Sequence, residues 1–224
     1  MRRLYHWTLD PASRLVRLAL GEKRLDADLV LSDPWQSQTD VSKLAPGATV
    51  PGLIDQGGHG RVVAVGARAI VEYLDAECDG PKLLPGVAQD KAEARRIWEM
   101  VEIGFSQIAG TLLSERVEQW ARRDRQPDAA ALRTGAHALR GRMTFLEALC
   151  GARPFLAGRA LSVADLALAA HISALDYFGD VPWGPTPDLQ AWYTRMKSRP
   201  AFRPLLADRL EGLRPAEHYA DLDF

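Results

Sequence analysis

The first third of the chain alternates short apolar runs with helical patterns. Alternating apolar and polar positions predict four strands, at residues 2–7, 27–32, 51–55 and 61–65. Apolar positions three or four residues apart predict two helices, at residues 11–23 and 67–77. An order of strand–helix–strand followed by strand–strand–helix predicts a small mixed sheet with helices on its faces.

Past a linker rich in glycine and proline at residues 80–90, the apolar spacing is helical. Two long helices are predicted to bury Ile97, Val101, Ile108 and Leu112 on the first and Leu132, Leu139, Phe145, Leu146 and Leu149 on the second. A third helix begins after Ser162, which forms a capping box with Asp165. We therefore expect an α/β domain over residues 1–81, an all-helical domain over 89–207 and a tail over 208–224.

Composition and charge narrow the class of protein. The chain has 224 residues, of which 47% are hydrophobic and 25% charged, and its formal net charge is -1. This charge gives no overall attraction to nucleic acid, and no apolar run is long enough to span a bilayer, so we expect a cytoplasmic protein. The two cysteines, Cys78 and Cys150, fall within helical patterns and are expected to be buried thiols, without a disulfide or a bound metal.

Three motifs carry a family resemblance. "TVPGLID" ahead of "ARAIVEYL", and "FLAGRALSVADLALAA" in the helical half, resemble the cytosolic glutathione transferases over nearly the whole chain. The resemblance implies an α/β, thioredoxin-like N-terminal domain followed by an all-α, C-terminal helical bundle. It also implies a cis peptide bond between Val50 and Pro51.

A glutathione site of this family has two binding elements, and only one is preserved. Thr49, Val50 and Pro51 match the extended segment that pairs with the cysteinyl amide of the tripeptide. Gly66 and Ala67 stand where the family has an acid or amide residue and a serine for the γ-glutamyl carboxylate. Because both side-chain contacts are missing and only helix amides remain, glutathione binding is expected to be weak or absent.

The group that stabilises the glutathione thiolate is also replaced. His6 falls at the tyrosine position of the family, and Asp10 falls where other members carry serine or cysteine. A carboxylate at Asp10 would repel a thiolate. Thr8 and Ser13 remain as alternative donors. We expect no catalytic residue and no cofactor; the alternative is a glutathione-dependent transferase or isomerase with weak glutathione binding.

Two further features suggest a contact surface. Trp35 lies in the loop "SDPWQSQ" and either packs back on its domain or anchors a partner. An arginine-rich stretch either forms a solvated helix face or attracts an acidic protein. Its members are Arg116, Arg122, Arg123, Arg125, Arg133, Arg140 and Arg142.

The tail carries aromatic and apolar side chains on an acidic segment, so it either adds to a partner surface or packs on the protein's own thioredoxin-like half. The closing "HYADLDF" and Trp35 resemble a branch of the family that binds filaments of the tubulin homologue FtsZ at the division site of bacteria. This resemblance implies a homodimer and an FtsZ-binding tail, although a Pro-Pro pair of that branch is Pro215-Ala216 here. The implied partner-binding residues are Trp35, Pro215, His218, Tyr219, Leu222, Asp223 and Phe224.

Overall fold

A computed structural model describes residues 1–36, 38–57, 60–119 and 126–222. Its first domain contains one sheet of four strands: β1 (Arg2–His6), β2 (Asp28–Leu31), β3 (Gly52–Gly57) and β4 (Gly60–Val65). The strand order is β2-β1-β3-β4, with β1 parallel to β2 and antiparallel to β3, and β3 antiparallel to β4. The predicted mixed sheet is confirmed.

Three helices accompany the sheet: α1 (Pro11–Glu22), α2 (Asp40–Leu44) and α3 (Ala67–Glu77). The sequence pattern predicted α1 and α3 but treated the α2 region as a loop. Five residues are too few to show a helical period, and the local signal is a capping box in which Thr39 and Ser42 bond each other's backbone amides.

The second domain is helical, as predicted. Its elements are α4 (Ala88–Leu113) with a π-helical turn at Ser114–Glu118, α5 (Ala129–Ala152), α6 (Val163–Asp176), α7 (Pro187–Lys197), a 3-10 turn at Pro200–Phe202, α8 (Arg203–Leu206) and a 3-10 turn at Glu217–Ala220. All residues of α6 are buried, and this helix packs against both α1 and α4. Among the helices that the structure describes, none combines the length and apolar character needed to cross a bilayer.

Helix α6 begins at the predicted capping box. The Asp165 carboxylate accepts hydrogen bonds from Ser162 N at 3.0 Å and from Ser162 Oγ at 3.1 Å. It also accepts hydrogen bonds from Leu156 N at 2.9 Å and from Trp192 Nε1 at 3.2 Å. Asp165 therefore joins the preceding loop and α7 to the start of α6, which the local motif did not predict.

One predicted core residue of α5 is misplaced. Leu139, Leu146 and Cys150 are buried on one stripe of the helix, whereas Phe145 is 57% exposed. Phe145 directly precedes Leu146 and therefore lies about 100° away around the helix. Cys78 and Cys150 are free buried thiols, as predicted, and burial raises the pKa of Cys150 to about 12.

Candidate functional site

The cis-proline segment lies at the start of β3. The Val50–Pro51 peptide bond is cis, as the resemblance implied, and both residues are buried while Thr49 is exposed. Pro51 O accepts a hydrogen bond from Gly66 N at 2.9 Å. The segment is thereby tied to the residue that precedes α3.

The residues at the start of α3 have no functional side chain. Gly66 is the N-cap at a φ of 84°, a conformation that glycine adopts without strain, and Ala67 is the first helical residue. Within the described part of the chain, no side chain caps this helix. Backbone amides are the polar groups that α3 offers there.

His6 ends β1 inside the protein. Its side chain is 5% exposed, and its Nδ1 has no hydrogen-bond partner among the described residues. Burial, together with the charge of Arg17, lowers the pKa of His6 to about 4. The imidazole is therefore neutral near pH 7 and occupies a buried structural position.

This burial predicts a pH-dependent stability. The pKa of His6 falls from 6.5 in the unfolded chain to about 4 in the folded protein, so its contribution is present above pH 6.5 and is lost as the pH falls toward 4. Between pH 7.5 and pH 5, His6→Gln should lose about 2 kcal/mol less of its free energy of unfolding than the unmodified protein. Urea unfolding at both pH values measures this, with His137→Gln, at an exposed position of α5, as the control. Equal losses in all three proteins would contradict the assignment.

Asp10 has a structural role that its repulsion of a thiolate does not predict. It is the N-cap of α1, and its Oδ2 accepts a hydrogen bond from Ser13 N at 2.7 Å. Ser13 Oγ in turn accepts one from Trp7 N at 3.2 Å, and the Ser13 side chain is fully buried. Ser13 therefore holds the turn between β1 and α1 from a buried position.

Trp35 packs back on its domain and also borders two cavities. Its ring lies 4.8 Å from that of Trp7 in an edge-to-face arrangement, and its amide donates a hydrogen bond to Asp33 Oδ1 at 2.9 Å. On one side lies a cavity of 230 Å³ bounded by α4. On the other side lies a cavity of 650 Å³ that extends to residues 209–213. The Trp7–Trp35 pair borders both.

Tyr219 corrects the prediction for the tail. Its side chain is fully buried, so it does not present an anchor at the surface. The phenol accepts a hydrogen bond from Arg14 Nη1 at 3.0 Å and donates one to Leu205 O at 2.9 Å. The hydroxyl of Tyr219 therefore has hydrogen-bond partners inside the protein. Because it is paired there, burying this aromatic side chain is favourable.

The neighbouring tail residues are also fixed to the helical domain. Ala216 N donates a hydrogen bond to Tyr177 O at 2.8 Å, next to the half-buried Pro215. The His218 Nε2 lies 2.9 Å from Asp176 Oδ1. Lys197 Nζ donates to His218 O at 3.2 Å and also to Asp221 O. Together these contacts form what we call the tail dock, residues 215–221.

Beyond the tail dock the chain reaches the surface. Leu222 is 40% exposed, directly after Asp221. Asp223 and Phe224, which also belong to the implied partner-binding residues, lie outside the described residues. Of the nominated tail residues, the structure thus brings Pro215, His218 and Tyr219 together on the helical domain.

A buried arginine cluster connects the tail dock to both domains. Arg14 of α1 is fully buried and donates hydrogen bonds to Thr8 O at 2.9 Å, Ser173 Oγ at 2.7 Å and Asp208 Oδ2 at 3.0 Å, besides Tyr219. Arg17 adds two hydrogen bonds to the same Asp208 carboxylate, at 2.8 and 2.9 Å. This cluster could not be predicted from the sequence. The one indication of it there is the presence of two arginines within the apolar pattern of α1.

The arginine-rich stretch does not form one surface within the described residues. Arg116 is paired with Asp180, and its guanidinium lies 5.7 Å from the ring centre of Phe178. Arg133, Arg140 and Arg142 are exposed on α5. Arg122, Arg123 and Arg125 lie outside the described residues.

Comparison with known proteins agrees with this architecture. Family models of the glutathione S-transferase N-terminal and C-terminal domains match residues 4–82 and 119–209. FtsZ-localized protein A of Caulobacter vibrioides is 45% identical over 224 residues, covering 100% of this chain and 98% of that protein. The solved structure of FzlA from C. crescentus covers 100% of this chain and 99% of its own, with 45% identity and a TM-score of 0.94.

A crystal structure of a glutathione S-transferase from Rhodospirillum rubrum F11 covers 100% of both chains, with 38% identity and a TM-score of 0.93. The two family models match in the order in which the structure shows the α/β and the helical domains. The two solved structures, which both cover the whole of this chain, have the same fold, with TM-scores of 0.94 and 0.93. The chain therefore belongs to the glutathione S-transferase family.

Proposed function

We propose that this protein is a non-enzymatic adaptor that binds FtsZ filaments and regulates them during bacterial cell division. The observation that carries the proposal is the 45% identity to FtsZ-localized protein A over the whole chain. In this proposal the protein works in the cytoplasm and concentrates at the division site.

The tail and the surface near it form the proposed contact with FtsZ. The tail dock fixes residues 215–221 on the helical domain, so that Leu222 is presented at a defined place. The proposed contact set is Trp35, Pro215, His218, Leu222, Asp223 and Phe224. Tyr219 is buried and supports this surface from inside, as a positioning residue.

A non-enzymatic role is supported by the positions where the family binds glutathione. Gly66 and Ala67 offer no polar side chain, His6 is buried and neutral near pH 7, and Asp10 brings a carboxylate to the place of the thiolate donor. We therefore propose a pseudoenzyme that binds no cofactor. The alternative, weak glutathione-dependent catalysis, is favoured by the retained cis Val50–Pro51 bond and by the relatives named as transferases.

We further propose that the protein acts as a homodimer. Ile103 of α4 is 70% exposed and Phe145 of α5 is 57% exposed, on two helices that pack against each other. Large apolar side chains of this kind are common at subunit interfaces. A dimer would carry two tails, so that one filament contact raises the effective concentration of the second. A monomeric mass in solution would remove this part of the proposal.

Cosedimentation with polymerised FtsZ tests the function and the site together. The full chain should pellet with the polymer, and a variant shortened after Asp221 should bind at least about tenfold more weakly, because it lacks the apolar contacts of Leu222 and Phe224. This variant keeps Tyr219 and the rest of the tail dock, so its fold is preserved.

Glu217→Gln is the matched control, because Glu217 is exposed on the docked turn and lies outside the proposed contact set. Its binding should equal that of the full chain. Undiminished binding by the shortened variant would remove the role of the tail. Failure of the full chain to pellet would overturn the proposed function itself.

A further inference from the structure

Strand β2 forms an open edge of the sheet. It pairs with β1 on one side, and among the described strands none lies on its other side. Ser32 N donates a hydrogen bond to His6 O of β1 at 2.9 Å. Because backbone groups of successive residues in a strand point to opposite sides, those of Leu29 and Leu31 point away from β1. Their amides and carbonyls are therefore available to an added strand.

The side chains of the same two leucines are exposed on one face of the sheet. Leu29 is 48% exposed and Leu31 is 68% exposed. The register places them beside Leu4 and His6 of β1, which are both buried. The buried face of the sheet thus continues into an uncovered apolar strip. Edge strands are usually guarded against pairing by charge, proline or bulges, so an apolar strip at an edge indicates a contact surface.

An apolar groove adjoins this strip. It has a volume of 310 Å³ and lies between the end of α1, the chain that enters β2, and the segment from the Pro200–Phe202 turn into α8. Arg17 lines it, but the Arg17 guanidinium bonds the Asp208 carboxylate. Apolar residues of the lining include Leu20, Leu25, Ala27, Leu29, Pro204 and Leu205. A segment lying along β2 would find a place here for a further apolar side chain.

The chain on and beside β2 is acidic. From residue 25 to residue 42 the sequence contains four aspartates and no lysine or arginine. Asp26 and Asp28 are exposed, and Arg3 of β1 lies beside Asp28 on its inner side. Side-chain alternation places Asp28 on the face opposite to Leu29 and Leu31. A cation on the outer side of Asp28 would form a favourable cross-strand pair.

Charge distinguishes the possible occupants of this edge. A second copy of the chain that paired through β2 would bring another Asp26 and Asp28 against the first pair, and like charges on paired strands repel. The tail of the chain carries Glu217, Asp221 and Asp223 and would be repelled as well. A basic segment of another protein is complementary in charge.

We propose that the β2 edge, residues 25–31, binds an extended segment of a partner protein in which apolar residues alternate with lysine or arginine. The segment adds antiparallel to β2 and bonds the outward backbone of Leu29 and Leu31. Its apolar side chains cover these leucines and enter the groove, while its cations face Asp28. The surface shares no residue with the tail dock, and the proposal does not rest on the FtsZ contact.

Calorimetry on the full chain with two synthetic peptides tests the charge preference. Both peptides have seven residues and capped ends; one alternates lysine with valine and the other alternates glutamate with valine. The lysine–valine peptide should bind at least about tenfold more tightly, because its cations face Asp28 and the acidic surroundings of β2. Equal affinities, or no binding of the lysine–valine peptide, would overturn the proposal.

Backbone methylation separates strand addition from a simple attraction of charges. In the antiparallel arrangement the valines lie opposite Leu29 and Leu31 and donate their amides to β2, whereas the lysine amides face solvent. N-methylation of the valines should therefore weaken binding by at least about tenfold, and N-methylation of the lysines should leave it nearly unchanged. Equal affinities for the two methylated peptides would refute pairing with β2.

Variants of the protein locate the surface. Leu29→Ser and Asp28→Asn change exposed side chains, and each should weaken binding of the lysine–valine peptide by about threefold, or about tenfold together. Val63→Ser is the matched control, because Val63 is 42% exposed on β4, at the opposite edge of the sheet. Its affinity should be unchanged.

Two results with the double variant would reject this location. One is an unchanged affinity for the lysine–valine peptide. The other is a fall in the mass of the protein in solution relative to the unmodified chain, which would show that a second copy occupies the β2 edge.

Discussion

Arg14→Met is expected to lower the free energy of unfolding by about 3–5 kcal/mol. Methionine matches much of the length of the side chain but removes the donors to Thr8 O, Ser173, Tyr219 and Asp208. The buried acceptors would lose their hydrogen-bond donor. The Asp208 carboxylate would also lose one of the two guanidinium groups that balance its negative charge. Urea unfolding followed by circular dichroism measures the loss.

Arg17→Met is the matched control for this change. Arg17 lies one helical turn away and shares the Asp208 carboxylate, but it is 9% exposed whereas Arg14 is fully buried, and it makes no hydrogen bond to the tail dock within the described residues. Its loss should cost about 1–2 kcal/mol. Limited proteolysis gives a second readout, because the tail dock should be cut faster in Arg14→Met than in Arg17→Met. Equal stability losses and equal cutting would contradict the role given to Arg14.

Asp165→Ala is the second change with a large expected effect, a loss of at least about 3 kcal/mol. The side chain is fully buried, and its removal leaves the amides of Leu156 and Ser162 and the indole of Trp192 without an acceptor. Each unsatisfied buried donor costs about 1–3 kcal/mol. The free energy of unfolding in urea measures this.

Asp90→Ala provides a matched comparison at the start of α4. Asp90 Oδ2 accepts a hydrogen bond from Val87 N at 3.0 Å, in the same position relative to its helix, but it is exposed to solvent. Its loss should cost about 0.5–1 kcal/mol, because water can replace the missing acceptor. Similar losses for the two variants would show that burial does not set the cost at Asp165.

Local patterns predicted the elements of the fold well. The alternation of apolar positions gave the strands to within about two residues, and the pattern of "ARAIVEYLDAE" gave the bounds of α3 as Ala67–Glu77. Family resemblance supplied the order of the domains. The short α2 was missed because five residues are fewer than two helical turns.

The polar sites could not be predicted in the same way, because they join distant parts of the chain. Arg14 meets Asp208 and Tyr219 across separations of 194 and 205 residues, and no local pattern carries such a pairing. Tyr219 therefore looked like a surface anchor in the sequence, although it is buried.

If the protein binds filaments through its tail, as proposed, the tail dock would also set how a bound filament is held. Lys197 bonds the carbonyl of Asp221, so a partner that grips Leu222 is separated from the folded body by one residue, or about 4 Å of chain. An undocked segment from residue 208 would instead span up to about 50 Å. A connection of one residue would fix the orientation of the partner relative to the folded body and would pass force between them. A long flexible segment would only limit how far apart the two can move. In a dimer, two such connections would fix the angle between the filaments that they join. A force that pulls on either tail would be carried to the contact between the two domains at Arg14.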